Sequence, residues 1–401
     1  VRSILIFAAL LGFANMVWRV RGGLDVVDFK LFWLAGRTWA AGVNPYLQDH
    51  YEAMGVALFG QWSPVMIWPY PPHALPVMMP YSWVPYQTGL LLWNATGLIL
   101  SLAGAALLGR LFGRTSEGAL VLTAAVVAYL GLMTASGSTL VVGQTSFIIL
   151  FGIALIAWGI GRQAPVIGGI GMAIVMLKPH VGLVLCCVIP FFFRSGIRMT
   201  AWGVGITVLA SIPGLAIGGV GATIGGLMHN LIDYRAIAYN TPRLMTGVAN
   251  LIQAATGHDM SALVMSLIGC VVILVAMTAL HLRWRKTGRP EPVEAAAIYL
   301  LLSLSTVAAF VVLHVYDMVI LCPLIAILPW MGRSAALICV APLLILMRPE
   351  NISRVVGVEE TGATVAAVGG LLLLIFSLIF LLRRAPESGS GAIGTLATVA
   401  H

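Results

Sequence analysis

Charge is scarce in this 401-residue chain: Asp, Glu, Lys and Arg make up 9% of it, where soluble chains carry about 25%. Apolar residues make up 60%, and the mean hydropathy is +1.00. That balance excludes an ordinary water-soluble domain. Apolar stretches of about 20 residues recur from end to end, the mark of an all-α polytopic membrane protein. Cysteine is also sparse. The five cysteines (Cys186, Cys187, Cys270, Cys322 and Cys339) lie in apolar segments. They have neither metal-ligand spacing nor a disulfide framework, so they read as small packing residues. No phosphate-binding loop or dinucleotide fingerprint is present, and no clear internal repeat. A small-residue cleavage site is missing after residues 3–18, so that stretch reads as a retained first span. The net charge of +8 would suggest nucleic acid for a soluble protein. Here its distribution matters instead, and no nucleic-acid partner is expected.

Apolar segments near 3–20, 86–109, 118–135, 145–161, 165–177, 181–193, 200–218, 262–280, 294–312, 316–330, 335–347 and 363–382 give about twelve spans. Both termini then share one side. That side collects 13 of the 22 basic residues, including Arg2, Arg110, Arg162, Arg194, Arg283, Arg289 and Arg384, against four acids, a net of +9. The other side nets −1. By the positive-inside rule the first side is cytoplasmic. Two outer loops are long, about 21–85 and 219–261. Both are too apolar to be free linkers. In the first, Phe29, Phe32, Trp33 and Trp39 predict a short interfacial helix with its aromatics at headgroup level. Asp25 and Asp49 read as solvated loop acids. Residues 1–385 form one transmembrane domain, and 386–401 a cytoplasmic tail too small and polar to pack.

One stretch breaks the apolar pattern: VMLKPHVGL (175–183). From Ala164 to Phe193, Lys178 is the only formal charge, and an unpaired cation at membrane depth costs roughly 2.5 kcal/mol or more. Arg162 and Arg194 flank this run and both belong on the basic side. A hairpin keeps them together and puts Lys178-Pro179-His180 at its outer tip. Each arm is about 20 Å long, short of the ~30 Å hydrocarbon core, so the tip sits in a protein-lined cavity.

Topology brings other polar residues to that same face: Asp28, Gln144, His314, Tyr316 and Asp317, Arg348, and His229, Asp233, Arg235 and Arg243 of the second loop. Carboxylates beside cations, open to lipid, suit group transfer from a lipid phosphate to an alcohol. Lys and Arg would hold the phosphate, and a carboxylate would deprotonate the acceptor. Each residue also has a plainer role. Asp28 suits a helix N-cap, Lys178 a snorkelling side chain, His180 and His314 packing, Asp317 an ion pair with an arginine, and Tyr70-Pro71-Pro72 a rigid turn.

The same residues carry a resemblance. DFKLFWLAGRTWAAGVNPY (28–46), YPPHALPVMMPYSWVPY (70–86), GQTSFIILFGIALIAWG (143–159), GGIGMAIVMLKPHVGLVL (168–185) and HVYDMVIL (314–321) occur in an order and spacing similar to glycosyltransferase family 87. The likeness covers about residues 20–330. These are GT-C-type membrane enzymes that use polyprenyl-phosphate sugars.

The resemblance implies a GT-C fold with juxtamembrane helices on the outer face. It implies inverting transfer of a hexosyl or pentosyl unit, mannose favoured, to a glycolipid or polysaccharide hydroxyl at the periplasmic face of a bacterial inner membrane. Asp28 matches the position of the catalytic base and Lys178 the donor-phosphate lysine, with His180 beside it. Arg243 and Arg348 are candidate partner cations. Arg37, Tyr70, Gln144, His314, Tyr316 and Asp317 are candidate substrate-binding residues. No metal or other cofactor is expected, the lipid-linked sugar being a co-substrate. Two departures stand out. Ser305-Thr306 replaces the Ser-Pro of many members, and no large outer domain is evident to define the acceptor. The rival readings are a secondary transporter, which also uses short broken helices, and a non-catalytic lipid-linked-sugar binding or flippase protein.

Overall fold

The computed structural model describes residues 2–20, 27–60, 66–237, 240–357 and 362–384. Asp25 and the tail 386–401 lie outside them. Among the described residues the chain is helical with no strand. It runs through α1 (Arg2–Val20), then α2 (Val27–Ala40), α3 (Gln48–Phe59) and α4 (Leu75–Ser82) in the first outer segment. Next come α5 (Tyr86–Phe112), α6 (Ser116–Leu132), α7 (Thr134–Val142) and α8 (Ser146–Gly161). α9 (Pro165–Val175), α10 (Pro179–Cys186), α11 (Ile189–Phe192) and α12 (Gly196–Gly218) follow. The second outer segment holds α13 (Val220–Ala236) and α14 (Val248–Thr256). The chain ends with α15 (Ala262–Thr287), α16 (Pro292–Phe310), a 3-10 stretch Val315–Leu321, α17 (Pro323–Ile327), α18 (Arg333–Met347), α19 (Pro349–Val356) and α20 (Ala363–Arg383). Proline opens α9, α10, α16, α17 and α19, where its missing N–H costs nothing.

Among the described residues, five helices are long and apolar enough to cross a membrane alone: α5, α12, α15, α16 and α20. The count rises to seven if α6 with α7, bent by 69°, and α18 with α19, bent by 81°, each form one span. The other segments expected as spans are apolar helices of only 10–17 residues. α8 and α16 form the centre, and nearly every side chain from Phe147 to Ile160 and from Ala296 to Ala309 is buried. Small residues let the helices touch. A Cβ on Gly131 would lie 2.2 Å from the Gly12 Cα, so α1 and α6 cross backbone to backbone. α20 meets α16 through Gly370 on the Ala308 carbonyl and through a 2.7 Å bond between Ser305 and Ser377.

The chain folds back between α9 and α10. A Cβ on Gly182 would lie 2.9 Å from the Val175 carbonyl, whereas in a continuous helix those residues stand about 10 Å apart. Gln163 and Arg194, at the far ends of the two arms, line one small pocket together with Arg289. The basic residues expected on a common side are joined at this end. Arg2 pairs with Glu117 at 3.1 Å, Arg162 donates to the Arg110 carbonyl at 3.3 Å, and Arg384 pairs with Glu294 at 3.2 Å.

The helix expected from Asp28 onward is α2, but its aromatics do not face the headgroups. Phe29, Phe32 and Trp39 are fully buried. Residues 66–85 fold over α2, so Phe32 stacks edge-on to Tyr70 at 4.9 Å and Trp39 to Trp68 at 5.5 Å. Trp33 donates to the Val84 carbonyl at 3.0 Å. Each such ring pair adds about 0.5–1.5 kcal/mol beyond the area it buries.

Candidate active site

The end opposite the basic one holds the buried charges. Lys178 is 7% exposed and Asp317 is 4% exposed. Lys178 Nζ donates to Asp317 Oδ1 at 2.5 Å, and Ser146 Oγ donates to the same oxygen. The lysine's cost at membrane depth is therefore offset by a carboxylate, and the partner of Asp317 is this lysine, not the arginine expected for it. Lys178 caps α10 just after the fold-back, and Asp317 lies in the 3-10 stretch after α16. Their positions are 139 residues apart in sequence.

Asp28 is within electrostatic reach of this pair, and Gln144 holds it there. It sits in the turn between α7 and α8, where Gly143 takes φ +69°, a left-handed geometry that suits glycine. Trp93 Nε1 pins that glycine's carbonyl at 2.8 Å. Gln144 Nε2 donates to Asp28 Oδ2 at 2.8 Å and more weakly to the Tyr316 hydroxyl at 3.4 Å. Its Oε1 accepts from Tyr70 OH at 3.3 Å and from the Thr145 N–H at 3.2 Å. These contacts fix which way the amide faces, so a donor is aimed at Asp28. Asp28 itself opens α2, where the helix N-terminus favours a negative charge.

Burial pushes the Asp28 carboxyl above the usual carboxylate range. The Gln144 bond and the Lys178 charge pull it back, and the Asp317 charge raises it further. Tyr70 is held well above a normal phenol, chiefly by burial, so it stays an O–H donor to Gln144. His314, in the turn between two expected spans, is drawn down to about 4, chiefly by burial. It is therefore a neutral hydrogen-bonding group near pH 7, not a cation. Its ring stacks on Tyr316 at 4.8 Å, and its Nε2 meets Asn240 Oδ1 at 3.1 Å. Lys178 Nζ lies 5.7 Å from the Tyr316 ring centroid. His180, in the first turn of α10, is within electrostatic reach of Lys178, Asp317 and His314.

Of the residues singled out in the sequence, the fold thus gathers Asp28, Tyr70, Gln144, Lys178, His180, His314, Tyr316 and Asp317. Arg37, Arg243 and Arg348 make other contacts. Arg37 lies nine positions after Asp28 on α2, about 13 Å along the axis, with its guanidinium 4.9 Å from the Trp33 ring. Arg243 is exposed, and its backbone carbonyl accepts from Asn250 at 3.1 Å. Arg348 Nε donates to the Leu132 carbonyl at 3.1 Å. That carbonyl is left free where α6 breaks into α7. His229 and Asp233 pair with each other at 3.3 Å on an exposed face.

Three participants escaped the sequence reading. Ser146 hides in an apolar run as the first residue of α8. Tyr234 of α13 is electrostatically coupled to both Asp28 and Asp317. Asn240 holds His314 and donates to the Tyr234 carbonyl at 2.7 Å. None has a motif of its own. The only hint was their place in a segment already assigned to that face.

Chemically, the site combines a poised carboxylate, a buried ammonium and a neutral imidazole. Asp317 uses one of the three N–H donors of Lys178. Such a set can deprotonate a hydroxyl and hold an anionic group nearby. A family model described as glycosyltransferase family 87 matches residues 68–313, more than half of the chain. A search of curated proteins finds no match.

Proposed function

The chain belongs to glycosyltransferase family 87, and from that premise we propose that it moves a hexosyl or pentosyl unit, mannose favoured, from a polyprenyl-phosphate sugar to an acceptor hydroxyl. The donor's prenyl tail lies in lipid and its sugar enters the polar end of the bundle, on the periplasmic side of a bacterial inner membrane. Asp28 removes the acceptor's proton as that oxygen attacks the anomeric carbon. The bond from that carbon to the phosphate oxygen breaks on the opposite face, so the linkage inverts in one displacement. The departing polyprenyl phosphate keeps the bonding electrons and stays next to Lys178, which stabilises the growing negative charge. The acceptor is a glycolipid or a polysaccharide.

The observation that carries this reading is the setting of Asp28, held by Gln144 within electrostatic reach of Lys178. One amide orients a carboxylate of raised pKa beside a buried ammonium, with each group supplied by a different segment. Raising a carboxyl toward neutral pH suits a general base. Lys178 keeps donors for a phosphate beyond the one given to Asp317. The neutral His314 and the nearby His180 can add hydrogen bonds to the phosphate or sugar without adding charge.

The donor class is tested with purified protein in nanodiscs and membrane lipid as acceptor. Radiolabelled polyprenyl-phosphate mannose, glucose and arabinose are compared with the matching nucleotide sugars. Labelled product from a lipid-linked donor alone is expected. Product from nucleotide sugars alone would overturn the donor assignment. Ion-coupled uptake of the sugar without any transfer would point to a carrier.

A further inference from the structure

The reaction leaves one large feature unused, a groove between α15, α16 and α20. It holds about 370 Å³, and every lining residue is apolar, among them Val275, Ala279 and Leu280 of α15, Leu302 of α16, and Leu378 and Leu382 of α20. One water takes roughly 30 Å³ of liquid, so this is space for a hydrocarbon chain and not a packing fault. It exists because α15 and α20 both pack along α16 while barely touching each other.

The groove ends at cations. Arg283, one turn beyond Ala279, donates to the carbonyls of Leu381 at 3.5 Å and Leu382 at 3.0 Å, and to that of Arg384. These are the last, otherwise orphaned, acceptors of α20. The bonds tie the two helices together at the mouth of the groove. Arg285 and Lys286 in the last turns of α15, and Arg383 at the end of α20, are exposed at the same end. The acid at this mouth, Glu294, is paired with Arg384 at 3.2 Å.

An apolar slot ending in exposed cations matches an acyl chain attached to a phosphate. We propose that this groove binds an anionic diacyl phospholipid from the leaflet that meets the basic end. A zwitterionic lipid would set its own cation against Arg285, Lys286 and Arg383. The glycosyl donor is a poorer match, because its phosphate belongs with Lys178 at the opposite end of the bundle. The arm of the fold-back that carries Lys178 separates it from the basic end by about 20 Å.

The test is native mass spectrometry of the full chain released from nanodiscs of equal phosphatidylcholine and phosphatidylglycerol. One phosphatidylglycerol is expected to be retained, preferred over phosphatidylcholine by about fivefold for each cation it engages. The triple variant Arg285→Ala, Lys286→Ala, Arg383→Ala should lose the preference. Ala279→Trp, filling the groove from an exposed position, should lose the retained lipid of either kind. Leu382→Trp, also exposed, repeats the test on the other helix. Circular dichroism and a single monomer peak report that each variant folds. The proposal fails if the wild type retains both lipids equally, or if the filled groove retains lipid unchanged. Preferential retention of a polyprenyl phosphate, or a dimer that covers the groove, would also overturn it.

Discussion

Removing the carboxylate of Asp317 should strand the lysine it neutralises. In wild type the two charges stand 2.5 Å apart with exposures of 9% and 5% for their side chains. At an effective dielectric near 20, that separation gives an attraction of roughly 7 kcal/mol. Desolvation of the two ions cancels much of it, yet taking away one partner of a buried pair costs about 3–5 kcal/mol. Asp317→Asn should therefore destabilise the protein by that amount, and Ser146 would lose a charged acceptor as well. The assay is unfolding by denaturant in mixed micelles, followed by tryptophan fluorescence. The control is the double variant Lys178→Met, Asp317→Leu, which removes both charges and should regain most of the lost stability while staying inactive. If Asp317→Asn unfolds within about 0.5 kcal/mol of wild type, Lys178 is not held by this pair and the reasoning fails. It also fails if the double variant is the least stable of the three.

Asp28 must be ionised to act as a base, and its pKa is raised. The rate should therefore rise with pH through an apparent pKa above the ordinary carboxylate value near 3.8. Gln144→Leu removes a bond that lowers this pKa, so its acid limb should move to higher pH, seen in a kcat/KM profile. A carboxyl raised on folding lends stability below its unfolded pKa and loses it as pH rises through the folded one. Asp28→Asn should then match or exceed wild-type stability at neutral pH while losing transfer, which parallel unfolding curves at two pH values will show. Gly131→Leu would force a side chain into the Gly12 backbone and should destabilise the α1–α6 crossing by at least 1–3 kcal/mol. Thermal unfolding in nanodiscs measures it.

Much of the fold could be read from pattern because a membrane imposes it. Apolar runs become helices, and arginines gather at one end, as Arg162, Arg194, Arg283 and Arg384 do. The fold-back at Lys178 was legible for the same reason, since both arms had to return their arginines to one side. The site was legible as a list but not as a network. A lone lysine in an apolar run demands compensation, but nothing local says that the compensation is a carboxylate 139 residues away. Gln144 was visible as a polar residue at the right face. Its bridging role depends on how Gly143 and Trp93 turn it. Arg348 was visible as a cation at that face, but its sequence does not show the broken α6, whose freed carbonyl its Nε meets. The aromatics of α2 misled for a related reason. Helical spacing shows that a face is apolar, but not whether lipid or residues 66–85 will cover it.

The most direct test of the account compares wild type with Asp28→Asn in nanodiscs, measuring glycosyl transfer and donor binding on the same samples. Transfer lost by at least about a hundredfold with donor binding intact is the predicted result. Equal turnover in both proteins would remove Asp28 from the chemistry and contradict the central claim.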